Sequence, residues 1–169
     1  MVVLLAMGLG VREPAAQQSD SPTRAAGKES AALLKVTGDV PRPLELSAED
    51  FAKLPRQAVK AKGHDGVVSQ FEGVSLIDVL AKAGVPTGND LRGKELTRYI
   101  VVEASDGYRV LLALAELDSA FTDRIILLAD RRDGRRLSDR EGPLQVVVPG
   151  EKKHARWVRQ VKRIVVGRA

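Results

Sequence analysis

The side chains with chemistry to offer are few and unevenly placed. The chain has two histidines, His64 and His154, and no cysteine. The missing thiol excludes disulfides, thiolate zinc sites, iron–sulfur clusters and cysteine nucleophiles. It identifies no compartment, because a cysteine-free chain tolerates any redox environment. A serine hydrolase needs a nucleophile, a base and an orienting group. Ser105, His64 and Asp65 can be assembled on paper, but nothing in their spacing asks for it, and no G-x-S-x-G occurs. Glycine-rich phosphate loops of the dinucleotide and P-loop kinds are also absent.

Positive charge is the stronger signal. From Glu151 to Ala169 there are seven basic residues (Lys152, Lys153, Arg156, Arg159, Lys162, Arg163, Arg168) and one acid, Glu151. That segment carries +6 where the whole chain carries +5, so the remaining 150 residues sum to −1. A basic segment on a near-neutral body suggests an anionic ligand or surface. A strand with a solvated outer face would show the same composition, and both readings stand. Nucleic acid is a further class of anion, but rings for base stacking are scarce: Tyr99, Tyr108, Trp157 and three Phe. Most of these fall at expected core or turn positions, so the expected partner is a small anionic molecule and no nucleic acid.

These residues need a scaffold, and 169 residues suit one domain. With 44% apolar and only 4% aromatic residues, its core must be built mainly from Val, Leu, Ile and Ala. Residues 1–16 read as a signal peptide. The apolar run Met1–Val11 suits its central region, and Pro14-Ala15-Ala16 offers small residues near a cleavage point, although no Lys or Arg precedes the run. The run is too short to span a bilayer. Residues 17–30 have a polar linker composition. The expectation is therefore an exported protein, periplasmic or secreted, whose folded domain covers 31–169.

Within that domain Leu33–Val36 and Leu44–Leu46 read as strands. Ser47 caps a short helix that ends at Leu54 before Pro55, with Asp50 completing an imperfect capping box. Gln57–Lys62 and Val67–Phe71 alternate as strands around the turn Gly63-His64-Asp65-Gly66. Ser75–Ala83 places Leu76, Ile77, Val79, Leu80 and Ala83 on one helical face, with Ser75 as cap and Gly84 just past the end. Thr97–Ala104 and Tyr108–Leu114 form a hairpin around Asp106-Gly107, followed by a short helical turn over Ala115–Asp118. Ile125–Ala129, Leu144–Val148 and Val161–Val166 read as further strands, with a charged loop over Asp130–Glu141 and Trp157 in a turn. About nine strands and two or three short helices, in no regular alternation, predict an α+β fold with a mixed, mostly antiparallel sheet.

Three stretches, in order and at matching spacing, carry a resemblance. Phe71–Val85 (FEGVSLIDVLAKAGV) is similar to the aromatic-x-Gly-Val helix start of sulfite-oxidase-type molybdopterin-binding domains. Ser105–Leu117 (SDGYRVLLALAEL) resembles their DGY hairpin and leucine-rich turn, and Glu141–Val166 resembles their G-x-P, V-P-G and A-R-x-V ending. The resemblance implies a fold around molybdopterin, with the phosphate held by basic side chains near the C-terminal strands. It also implies oxygen-atom transfer on a molybdenum bound by a cysteine that follows the strand before the helix start. Here that region, Ala58–Asp65 (AVKAKGHD), holds no Cys. Without the thiolate the usual coordination shell is incomplete. His64 lies near that position and imidazole can bind metals, but nothing calls for it to replace the thiolate, and a polar residue at a hairpin tip is the simpler reading. Arg156 and Arg159 match the family's basic positions, and guanidinium forks suit phosphate oxygens. Lys152, Lys153 and His154 occupy a loop one residue longer than the pattern, and the resemblance places an anion pocket between the turn Gly63–Gly66 and the segment Lys152–Arg159. The resemblance therefore implies a cofactor-binding set of Arg156, Arg159, His64, Lys152 and Lys153, with no metal ligand and no catalytic residue assigned. The expected function is binding of a pterin or other anionic small molecule without thiolate-molybdenum catalysis. The alternative is a molybdenum oxidoreductase subunit that uses a non-Cys ligand or a redox partner, which the sequence does not identify.

Overall fold

A computed structural model describes residues 31–169. The expected signal over 1–16 and linker over 17–30 lie outside the described residues. The chain runs through β1 (Leu34–Gly38), β2 (Leu44–Leu46), α1 (Ala48–Ala52), β3 (Gln57–Lys62), β4 (Val68–Ser75) and α2 (Leu76–Lys82). It continues through β5 (Arg98–Ala104), β6 (Arg109–Ala113), β7 (Leu127–Arg132), β8 (Arg135–Arg136), β9 (Gln145–Val147) and β10 (Val161–Arg168), with single 3-10 turns between.

The strands form two sheets. One has the order β2-β1-β10-β5-β6, the other β3-β4-β7-β8 with β9 also on β7. Among the described pairs β1–β10 is parallel and the rest are antiparallel, as the α+β reading expects. Alternation decides which side chains enter the core. Val36, Ile164 and Val102 lie in register and are fully buried. The residues between them point outward and form a charged row, Glu45–Lys35–Arg163–Glu103–Arg109, across five strands. Arg163 and Arg109 both reach Glu103, and Arg168 reaches Asp39. Much of the basic charge of β10 is thus a paired strand face. Lys162 falls at the irregularity between Val161 and Arg163 and is exposed.

Local signals explain most boundaries. Ser47 caps α1, and the box closes: Asp50 N donates to Ser47 Oγ at 3.1 Å and Ser47 N donates to Asp50 Oδ2 at 3.3 Å. Ser75 behaves differently from its expected role. It ends β4 opposite Leu127 and caps nothing with its side chain; instead Leu76 N donates to Ile126 O at 3.0 Å. The strand ladder thus continues one residue into the helix start, and the hydroxyl leaves the amides of the first turn uncapped. Gly73, in the aromatic-x-Gly-Val stretch, has a packing reason: a Cβ there would sit 2.1 Å from Leu128 O. Only glycine lets β4 and β7 approach that closely.

The charged stretch after Ala129 is where sequence patterning fails. β7 runs on to Arg132 and turns back as β8 around Asp133 and Gly134, both at positive φ. Asp133 docks this hairpin on β4, exchanging bonds with the Gln70 backbone: Asp133 N to Gln70 O at 2.8 Å and Gln70 N to Asp133 Oδ1 at 2.9 Å. A strand extended by backbone bonds and charged side chains carries no apolar alternation to read. No helix among the described residues is long and apolar enough to cross a membrane.

Candidate functional site

Two loops from different parts of the chain meet at the candidate site. The first is the β3–β4 turn. Gly63 N donates to Val67 O, and Asp65 accepts from Val67 N at 3.0 Å and from Arg132 at 2.7 Å. These bonds, with the Val67 amide first and the Arg132 guanidinium second, hold the Asp65 carboxyl below its ordinary pKa. The turn so fixed presents His64 to the second loop.

The second loop joins β9 to β10 and is anchored by Trp157. The indole is almost fully buried, donates from Nε1 to Val148 O at 3.0 Å, and meets Phe71 edge-on at 5.5 Å. A buried indole whose N–H has a partner is a rigid post. His154 packs edge-on against it, with centroids 4.5 Å apart, and the His64 ring lies 4.5 Å from His154. His154 Nε2 lies 2.7 Å from Lys62 O. A carbonyl can only accept, so this nitrogen carries the proton. Tyr108, just past the Asp106-Gly107 turn, donates its hydroxyl to Ala155 O at 2.7 Å and ties the loop to the β5–β6 hairpin.

Between these groups lies a cleft of about 230 Å³ bounded by His64, His154, Trp157, Tyr108, Asp106 and Arg159. Burial first, and then the positive fields of His154 and Arg159, hold the His64 imidazole below its ordinary pKa. Arg159 is exposed and makes no ion pair among the described residues. Arg156, three residues earlier, is the opposite case. Its Nε and Nη2 donate to Glu151 and its Nη1 donates to Glu116 at 2.8 Å. Those bonds raise its pKa further, Glu151 contributing most. Arg156 is not on the cleft wall, and neither are Lys152 and Lys153, which are exposed.

Of the five residues expected from sequence, the fold therefore brings His64 and Arg159 to the cleft and engages Arg156 elsewhere. The two segments expected to form the pocket, Gly63–Gly66 and Lys152–Arg159, do meet, through His64, His154, Trp157 and Arg159, whereas sequence reasoning assigned no cleft role to Tyr108 or Asp106. The Asp106-Gly107-Tyr108 turn was visible as a motif, but its distance from the C-terminal loop was not.

The donor set decides which inorganic chemistry fits. The chain has no thiolate sulfur to offer. Among the described residues no group of three His, Cys, Asp or Glu is placed to hold a metal ion. The cleft does not fit a thiolate-ligated molybdenum.

Comparison with known proteins agrees with this architecture. The family model for the oxidoreductase molybdopterin binding domain matches residues 22–169. Nothing matches among curated proteins. Among solved structures the fold is similar to the sulfane dehydrogenase SoxCD from Paracoccus pantotrophus, with a TM-score of 0.63 and 22% identity. That match covers 79% of this chain and 37% of the other, so the chain spans little more than a third of the relative's length.

Proposed function

This chain belongs to the oxidoreductase molybdopterin-binding domain family, and from that premise we propose that its histidine cleft binds a small anion of the pterin-phosphate class without thiolate-molybdenum catalysis. The observation that supports it most is Arg159, a guanidinium with no acidic partner among the described residues, beside a cleft walled by His64, His154 and Trp157. A guanidinium fork binds phosphate oxygens through two parallel N–H bonds. A bound anion would also favour protonation of His64 and so recruit a second positive charge. The rings of Trp157 and His154 give a planar heterocycle apolar surface to pack on. Asp106 accepts from Tyr108 N at 2.9 Å and has lone pairs left for the N–H edge of a pterin, which inorganic phosphate lacks. Export to the periplasm or beyond, expected from residues 1–16, belongs to the same proposal and is tested by N-terminal sequencing of the protein from fractionated cells.

One observation favours a second reading. The two adjacent imidazoles offer nitrogen donors, which a molybdenum oxidoreductase subunit with a non-Cys ligand or a redox partner would use. Mass spectrometry and metal analysis of protein purified from its own host separate the two. The expected result is a bound pterin or other anion, no stoichiometric molybdenum, and no sulfite oxidation with ferricyanide or cytochrome acceptors. Stoichiometric molybdenum with turnover above the enzyme-free background would overturn the first reading in favour of the second.

A further inference from the structure

A cavity of about 400 Å³ lies apart from the histidine cleft and shares no wall residue with it. It opens between α1, the β7–β8 hairpin and the loop that follows. Phe51, Ala52, Leu137 and Pro143 make its apolar wall, and Arg131 and Arg136 stand at the same cavity. Those two arginines are direct partners across β7 and β8. Like charges facing one another across a strand pair repel.

Neither guanidinium has its charge matched among the described residues. Arg131 donates to Gly134 O at 3.3 Å, and Arg136 makes no side-chain bond. Two carboxylates also line the cavity, but Asp130 is already engaged by Arg56. Glu72, which faces Arg131 from β4, accepts from Gln70 and forms no ion pair with it. The lining carries two arginines and two carboxylates, but Asp130 is held by Arg56 from outside the cavity, so within the apolar hollow Arg131 and Arg136 face Asp139 alone. The volume lies within the ordinary range of small-molecule sites.

We propose that this cavity is a second binding site, for a small amphiphilic monoanion whose apolar body packs on Phe51 and Leu137 and whose acidic head lies between Arg131 and Arg136. One carboxylate or sulfonate accepts from both forks and removes their mutual repulsion. The proposal stands on residues that the histidine cleft does not use.

Anilinonaphthalene sulfonate, an aromatic body with one sulfonate, is the probe, titrated into the full chain and followed by fluorescence. Saturable binding is expected, and the component that belongs to this cavity is the one the double arginine variant loses. Phenylnaphthylamine, the same rings without the sulfonate, should bind about tenfold more weakly or worse. Replacing both arginines, Arg131→Gln with Arg136→Gln, should raise Kd by about the same factor while the far-UV circular dichroism stays unchanged. Ala52→Phe, which fills the apolar half without altering charge, should weaken binding as well. Arg159→Gln should leave the Kd of that component unchanged. Absence of saturable binding, an unchanged Kd in the double arginine variant, or a loss on Arg159→Gln would each overturn the proposal.

Discussion

Arg156 and Arg159 sit three residues apart in one short loop and have opposite surroundings. Arg156 spends its donors on Glu116 and Glu151, which join the 3-10 turn after β6 to the loop before β10. Arg159 has no acidic partner among the described residues and faces the cleft with both histidines. Identical side chains in one basic segment therefore divide into a strut and a free cation. What separates them is the position of two carboxylates, one of them 40 residues away in sequence. A count of positive charge describes the segment and cannot assign its members.

The most severe way to break the comparison is to remove the post that holds both residues in place. Trp157→Ala should cost about 3–5 kcal/mol of folding stability, as buried aromatic truncations do, with Phe71 and His154 losing their packing partner. Urea denaturation reads this directly. The variant should also lose anion binding, because His154 no longer has a wall to lean on.

The next test sharpens the division. Arg159→Gln should weaken binding of a pterin phosphate by roughly one to two factors of ten, on a scale of about 1.5–3 kcal/mol for hydrogen bonds to a charged group. Stability should change by no more than about 0.5 kcal/mol, as at other exposed sites. Arg156→Ala should show the reverse profile. It should lose about 1–2 kcal/mol of stability by leaving Glu116 and Glu151 without their partner, with a smaller change in affinity than Arg159→Gln. Calorimetric titration and denaturation of both variants measure the contrast. Equal affinity for Arg159→Gln and the parent would reduce Arg159 to solvated surface and remove the support for an anion in the cleft.

A pH series tests the imidazole. His64 is held below its ordinary pKa by burial and by His154 and Arg159, against the weaker opposite pull of Glu141 and Asp65. Between the folded and unfolded values the unfolded chain binds more protons, so stability rises with pH across that window. The contribution is fully present above about 6.5 and is lost as pH falls through the folded value. Anion affinity should run the other way and increase as pH falls, because a bound anion favours the imidazolium. His64→Gln should flatten both dependences, as measured by melting temperature and by titration at several pH values. The smallest effect is expected for Arg136→Ala on pterin-phosphate binding, since its exposed charge belongs to a different cavity and its field is screened by salt. An unchanged Kd is the expected result.

Local rules made much of the fold legible. The span Gln57–Lys62 is the strand that its alternation predicts, and Ser47 closes the box with Asp50. Gly84 takes the positive φ expected past α2, and the Asp106-Gly107 turn joins β5 to β6. Each of these features depends on residues within a few positions of one another, so the sequence alone determines it. The ordered family motifs added the architecture, and Gly73 shows why one of them exists. The tertiary structure decided the rest, because the deciding contacts are long-range. It extended β7 into charged sequence through Asp133 and Gln70, and it made Ser75 the end of β4 without a side-chain cap. It also set His64 against His154, ninety residues apart in sequence, and gave Glu116 to Arg156 but, among the described residues, no carboxylate to Arg159. Propensity and charge are properties of a segment, whereas a site depends on which distant groups chain closure brings within about 3 Å of each other.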